Sequence, residues 1–235
     1  MSKELNYKIE TLNLLNQLSS ISTGIIIKKS DDGKSIVINR KNPSESISYF
    51  FEADINDFCF EGEELSIYNY PEFYQLLSVF KNPKIVQNIN KLEISNNNSK
   101  IKYVLTDSEI MSPGPKGFNM QEEPNCVFEL SEDELKNFCK MIGLVSSESA
   151  NLLVNNDKLV ITLKNETHEN TFEKNFSVIK SDGEDVDFNI PSEIFSVIPT
   201  GNYTVSIWGA GVVIFEYKSN IASLKIMTAE LEDRS

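Results

Sequence analysis

Apolar residues recur at three- and four-residue spacing in two stretches of this chain, and each stretch is followed by strand-like segments. The first is Lys8–Ile21, where Ile9, Leu12, Leu15 (with Leu14), Leu18 and Ile21 share one side, the spacing of an amphipathic helix. Lys8, Thr11, Asn13, Asn16 and Gln17 fall elsewhere, so the outward face is polar. The second is Ser131–Val145, with Leu135, Phe138, Cys139 and Ile142 on its apolar side and Lys136 and Lys140 opposite. It opens on Ser131-Glu132-Asp133-Glu134, a serine N-cap with glutamate at the third helical position, which is a capping box.

Between and after these helices the pattern shortens to that of strands. Gly24–Lys29 and Ser35–Ile38 flank Ser30-Asp31-Asp32-Gly33, and the Asp-Gly pair predicts a hairpin turn. Strand-like runs follow at Ile47–Asp54, Glu63–Tyr68, Lys91–Ser95 and Lys100–Leu105. The second half restarts at Cys126–Leu130 and continues through Asn151–Val154, Leu159–Leu163, Thr171–Ile179, Asn202–Trp208, Val212–Tyr217 and Ala222–Ala229. Two short segments, Pro71–Phe80 and Pro191–Ile198, occupy matching places. Each begins with proline, which suits a first helical turn because its missing N–H has no partner there. Each also carries a glutamate within two residues, where the helix dipole favours negative charge. The same order of elements thus occurs twice, at a period too long for a solenoid. It reads as two α+β domains, residues 1–106 and 126–235, joined by a linker at 107–125.

Within that linker the periodicity stops. Ser112-Pro113-Gly114-Pro115-Lys116-Gly117 suits neither a helix nor a central strand, since proline lacks a donor and glycine costs entropy. A merely solvated loop would be polar throughout, yet Ile110, Met111 and Phe118 are apolar. Such side chains pack back onto the domains or frame a groove for a partner, and these three are the candidate partner groove.

Composition narrows the class. The 235 residues are 40% hydrophobic, enough for a packed core, and no run approaches the roughly 20 apolar residues of a membrane-spanning helix. The polar start and three widely spaced cysteines read as a cytoplasmic chain with free thiols. A formal net charge of −13 opposes nucleic-acid binding in sum. Fields at physiological salt decay over about 8 Å, however, so the charge of the presented face matters more. Lys8, Lys81, Lys84, Lys136 and Lys140 lie on or beside helices while acids crowd turns and tail, a candidate surface for tracking phosphates. His168, the single histidine, sits on a polar hairpin tip. No cluster of Cys and His suits zinc, and no glycine-rich phosphate loop or nucleophile elbow occurs. The expectation is a non-enzyme with no metal and no cofactor.

Three segments carry a resemblance. Leu14–Ile25 resembles the opening helix and strand of the DNA polymerase sliding clamp of T-even-type bacteriophages, and Pro199–Trp208 with Phe215-Glu216 is similar to that clamp's last sheet. Ile67-Tyr68 running into Phe73–Val79 matches in order and position. The resemblance implies two duplicated clamp domains per chain and a homotrimeric ring, with antiparallel sheets outside and helices lining the hole. Implied partners are double-stranded DNA held without sequence readout, the replicative DNA polymerase, a clamp loader and late-transcription factors, with no membrane. The five lysines would then face DNA. The subunit interface would join Lys100–Leu105 (Ile101, Tyr103, Leu105) to Thr171–Ile179 (Phe172, Phe176, Val178). Two other readings stand beside it: a β-rich structural or assembly protein without DNA binding, and an acidic DNA-mimic inhibitor.

Overall fold

The computed structural model describes residues 3–80, 83–115, 117–118, 120–155, 158–165, 167 and 170–231. The chain forms two compact units. Unit 1 comprises Met1–Lys41, Tyr49–Lys116 and Asn220–Ser223; unit 2 comprises Asn42–Ser48, Gly117–Ser219 and Leu224–Ser235.

The first unit's elements are β1 (Lys3–Glu4), β2 (Asn6–Tyr7), α1 (Ile9–Leu18), β3 (Ile25–Lys29), β4 (Ser35–Lys41), β5 (Ile47–Asp54), β6 (Phe58–Cys59), β7 (Glu64–Ile67), α2 (Tyr70–Val79), β8 (Lys84–Asn88), β9 (Lys91–Ser95) and β10 (Lys100–Val104). The second unit's are β11 (Cys126–Leu130), α3 (Glu132–Val145), β12 (Ser149–Asn155), β13 (Lys158–Lys164), β14 (Thr171–Ser181), β15 (Val186–Pro191), α4 (Ile194–Val197), β16 (Tyr203–Trp208), β17 (Val212–Tyr217) and β18 (Ser223–Ala229). No described helix is long and apolar enough to cross a membrane.

The two units repeat one topology. In unit 1 the strand order β7-β3-β4-β5 matches β15-β12-β13-β14 in unit 2, and β8-β9-β10 matches β16-β17-β18. In unit 2, β11 pairs with β14 on one side and β16 on the other. Its counterpart in unit 1 is split, with Lys3–Glu4 pairing to β8 and Asn6–Tyr7 to β6. All these pairings are antiparallel, as the alternation of buried and open positions along β4, β9, β12 and β13 requires of sheets covered on one face.

The helices form where local chemistry supports them. Ser131 and Glu134 make the capping box of α3, each side chain engaging the other's backbone N–H. The Asn69 side chain accepts from the Glu72 N–H at 3.2 Å to open α2, with Pro71 in its first turn. The matching segment differs from expectation. Pro191 closes strand β15, paired opposite Ser149, and the helix is one turn at Ile194–Val197. As an end residue of an edge strand, proline has no ladder donor to lose. Strands β8 and β15, unread in the sequence, fill the remaining places. In β8 the inward Gln87 bonds both the N–H and the carbonyl of Glu61, at 2.8 and 3.0 Å.

An aromatic cluster centres unit 2. Phe138 of α3 stacks on Phe195 of α4 at 4.6 Å and meets Phe172 of β14 edge-on at 5.5 Å. Each buried ring contributes about 1.5–3 kcal/mol, which seats α3 on the sheet. In unit 1, Phe73 of α2 packs edge-on against Tyr103 of β10 at 5.4 Å. On α1, Thr11 is buried beside Leu12, Leu15 and Leu18 while Ile9 is exposed. The stripe read in the sequence is buried from Leu12 to Ile21, and it differs only at its start, where Ile9 is exposed and Thr11 is buried.

Candidate nucleic-acid interface and partner groove

Of the five lysines singled out, four are described; Lys81 lies outside the described residues. Lys8 stands at the N-terminus of α1 with its ammonium 2.6 Å from the buried carboxylate of Asp57. That hydrogen bond, with the Asp57 charge, holds the Lys8 ammonium above its ordinary pKa. Lys84 heads strand β8, not a helix, and pairs with Glu4 at 2.8 Å. Lys136 bonds Glu132 one turn earlier on α3, and this bond likewise raises its pKa. Lys140 is exposed and has no ion-pair partner among the described residues. Among the four described lysines, one ammonium is thus left unpaired. The exposed Lys84–Glu4 and Lys136–Glu132 pairs are worth little, so a phosphate can displace them at small cost, whereas Lys8 is held by a buried carboxylate.

Around these lysines the open helix faces are mostly neutral. Exposed positions include Glu10, Asn13 and Gln17 on α1, Glu72, Gln75 and Ser78 on α2, and Asp133 and Asn137 on α3. Amides and hydroxyls of this kind neither read a base nor repel a phosphate strongly; they suit water-mediated contact with a backbone.

The linker residues are not brought together. Met111 is 6% exposed and lies against Gly24, whereas Ile110 is 67% exposed. Phe118 lines a cavity of about 240 Å³ in unit 2, with Met120, Pro124, Trp208 and Ile214. The Trp208 indole N–H donates to the Glu122 carbonyl at 2.9 Å, fixing this stretch to the sheet. Of the acids on the lining, Glu123 pairs with Lys180 at 2.7 Å and Glu216 with Lys225 at 3.7 Å, so most of the charge around the apolar floor is already met. Trp208 was not among the groove residues read from the sequence, since its place on the open face of β16 follows only from the sheet.

The proposed edge strands are open. Among the described residues β10 pairs with β9 alone. Residues Thr171–Ser177 of β14 pair with β13, while β11 covers the other side only from Val178 to Ser181. Ile101, Leu105, Phe172 and Val178 are half-buried. Tyr103 and Phe176 face their own cores, against Phe73 and against Phe128 and Phe138. Val104 on β10 and Ile179 on β14 are exposed apolar side chains that the sequence reading did not single out.

No protein-family model and no curated protein sequence matches the chain. Solved structures do. Proliferating Cellular Nuclear Antigen from Entamoeba histolytica superposes with a TM-score of 0.75 at 16% identity, over 99% of this chain and 100% of that one. The fold is that of a sliding clamp. PCNA of A. fulgidus, in a structure with the C-terminal region of FEN-1 bound, gives 0.73 at 12% identity over 100% of both chains. The H. pylori Beta clamp, in complex with 5-chloroisatin, gives 0.69 at 13% identity, covering 98% of this chain and 66% of its own. The clamp fold accounts for the duplicated order of sheets and helices that the sequence pattern foreshadowed.

Proposed function

We propose that this chain is a DNA sliding clamp: three copies join head to tail into a ring around duplex DNA and tether the replicative polymerase. The observation that carries the reading is that, among the described residues, each unit leaves an edge of unlike sequence open, β10 in one and the first seven residues of β14 in the other. The two edges differ in sequence, so their pairing is heterologous, and such contacts close into rings when the rotation permits. Pairing also covers backbone groups that otherwise invite aggregation, and it brings in the exposed Val104. Full-length agreement with clamp structures supports the same reading.

The ring is opened and closed by a clamp loader, and its hold on DNA is topological and sequence-independent. The sequence resemblance to T-even-type phage clamps supports a role in viral replication in the host cytoplasm, with a further role in late transcription. The cavity around Phe118 and Trp208 is the partner groove; its apolar floor fits a short apolar peptide. The structural-protein and DNA-mimic alternatives gain no such support, since neither needs two unlike open edges.

Sedimentation equilibrium tests the reading. The wild-type chain should show the mass of three chains at about 10 µM, and Val104→Asp, which places a charge on the β10 edge, should shift it toward one. A wild-type chain that stays monomeric across that range sinks the ring.

A further inference from the structure

Strand β4 carries its core side chains at alternate positions, and the series Ile36, Ile38 ends on Arg40, which is only 6% exposed. An arginine at a core position ordinarily meets a carboxylate, and no ion-pair partner lies near Arg40 among the described residues. Instead its Nε donates to the Gly24 carbonyl at 2.9 Å and its Nη1 to the Ser112 carbonyl. The two prongs therefore tie the turn before β3 to the connector after β10.

Other contacts hold the same few connector residues. The Gly114 N–H donates to the Asn39 carbonyl at 3.2 Å, and the Asn39 amide donates to the Pro115 carbonyl at 2.8 Å. Gly114 lies so close to β4 that a Cβ there would stand 2.4 Å from the Arg40 nitrogen. Met111 fills the space that glycine leaves at position 24, where a Cβ would stand 2.7 Å from its sulfur. These contacts all lie within unit 1 and all fix Met111–Pro115.

We propose that Arg40 is a positioning residue for the connector, a two-pronged clasp that fixes its front half and so the segment leading to the partner groove. Its functional part rests on the clamp reading above. The planar guanidinium can bridge two carbonyls that a lysine ammonium cannot reach in one geometry. Because buried cations are costly to desolvate, replacing this one by an apolar side chain should spare the fold while releasing the connector.

Amide hydrogen exchange on the free chain tests the clasp. In Arg40→Met the Met111 and Gly114 amides should exchange at least about tenfold faster, with β9 amides unchanged. Gly114→Ala should do the same by a different route, and Arg40→Lys should behave nearly as Arg40→Met. Loaded Arg40→Met rings should then support shorter polymerase tracts at unchanged ring mass. Wild-type exchange in both Arg40→Met and Gly114→Ala overturns the proposal, as does an Arg40→Lys chain indistinguishable from wild type. Faster exchange with full polymerase stimulation overturns the positioning role. A wild-type chain that never stimulates polymerase counts against the clamp reading alone, since the exchange rates are measured without DNA or partner.

Discussion

At the scale of single residues, what matters most is which polar groups have partners. Lys8, Lys84 and Lys136 each rest on a carboxylate, and Lys140 does not. A phosphate reaching Lys140 breaks nothing, so this residue should carry the largest share of DNA contact among the four. Lys140→Glu should lower loading onto primed DNA at physiological salt by roughly tenfold, and Lys136→Ala by much less; equal effects in a loading assay would count against that ranking. Thr11 poses the opposite problem, a buried hydroxyl with no hydrogen-bond partner. Valine has nearly the same shape without the hydroxyl. Thr11→Val should therefore leave stability unchanged or raise it by about 1 kcal/mol, read as a higher urea midpoint at constant slope.

At the scale of elements, α3 is the best-defined helix, and its start rests on one carboxylate. Burial alone would raise the Glu134 pKa, but the Ser131 backbone and hydroxyl and Lys174 outweigh it and hold the group below its ordinary value. A depressed carboxylate stabilises the fold above its unfolded pKa and loses that contribution as pH falls through the folded value. Glu134→Gln should thus cost about 1 kcal/mol near neutral pH. The gap should close below the ordinary glutamate value of about 4.5. A gap that persists at low pH would mean the carboxylate charge is not what caps the helix. Much of this was legible: Ser131-Glu132-Asp133-Glu134 announces the cap because its partners are three residues apart. β15 went unread although Val186, Phe188 and Ile190 alternate, because the acidic turn before it obscured the pattern. β8 was not legible, because Gln87 occupies a core position that only a partner at Glu61 makes tolerable.

At the scale of the whole molecule, a net charge of −13 leaves little overall electrostatic attraction for DNA. In the proposed ring, enclosure would supply the hold. Rings loaded on nicked circular duplex should survive a wash at about 0.5 M NaCl, which strips most phosphate contacts. Cutting the circle to a linear molecule should release them. Retention on linear DNA at that salt would point to tight direct binding and defeat the topological mechanism.

The sequence by itself determined the periodicities: two amphipathic helices, the capping box of the second, the Asp-Gly hairpin and the twofold order of elements. Those features depend on neighbours a few residues away, and burial of one face imposes its spacing directly on the chain. Only the tertiary structure decided which lysines are already paired, that Met111 turns inward while Ile110 does not, and that an arginine in a core register is satisfied by the carbonyls of Gly24 and Ser112. These outcomes depend on groups far apart in sequence, and no local period encodes which of them will meet.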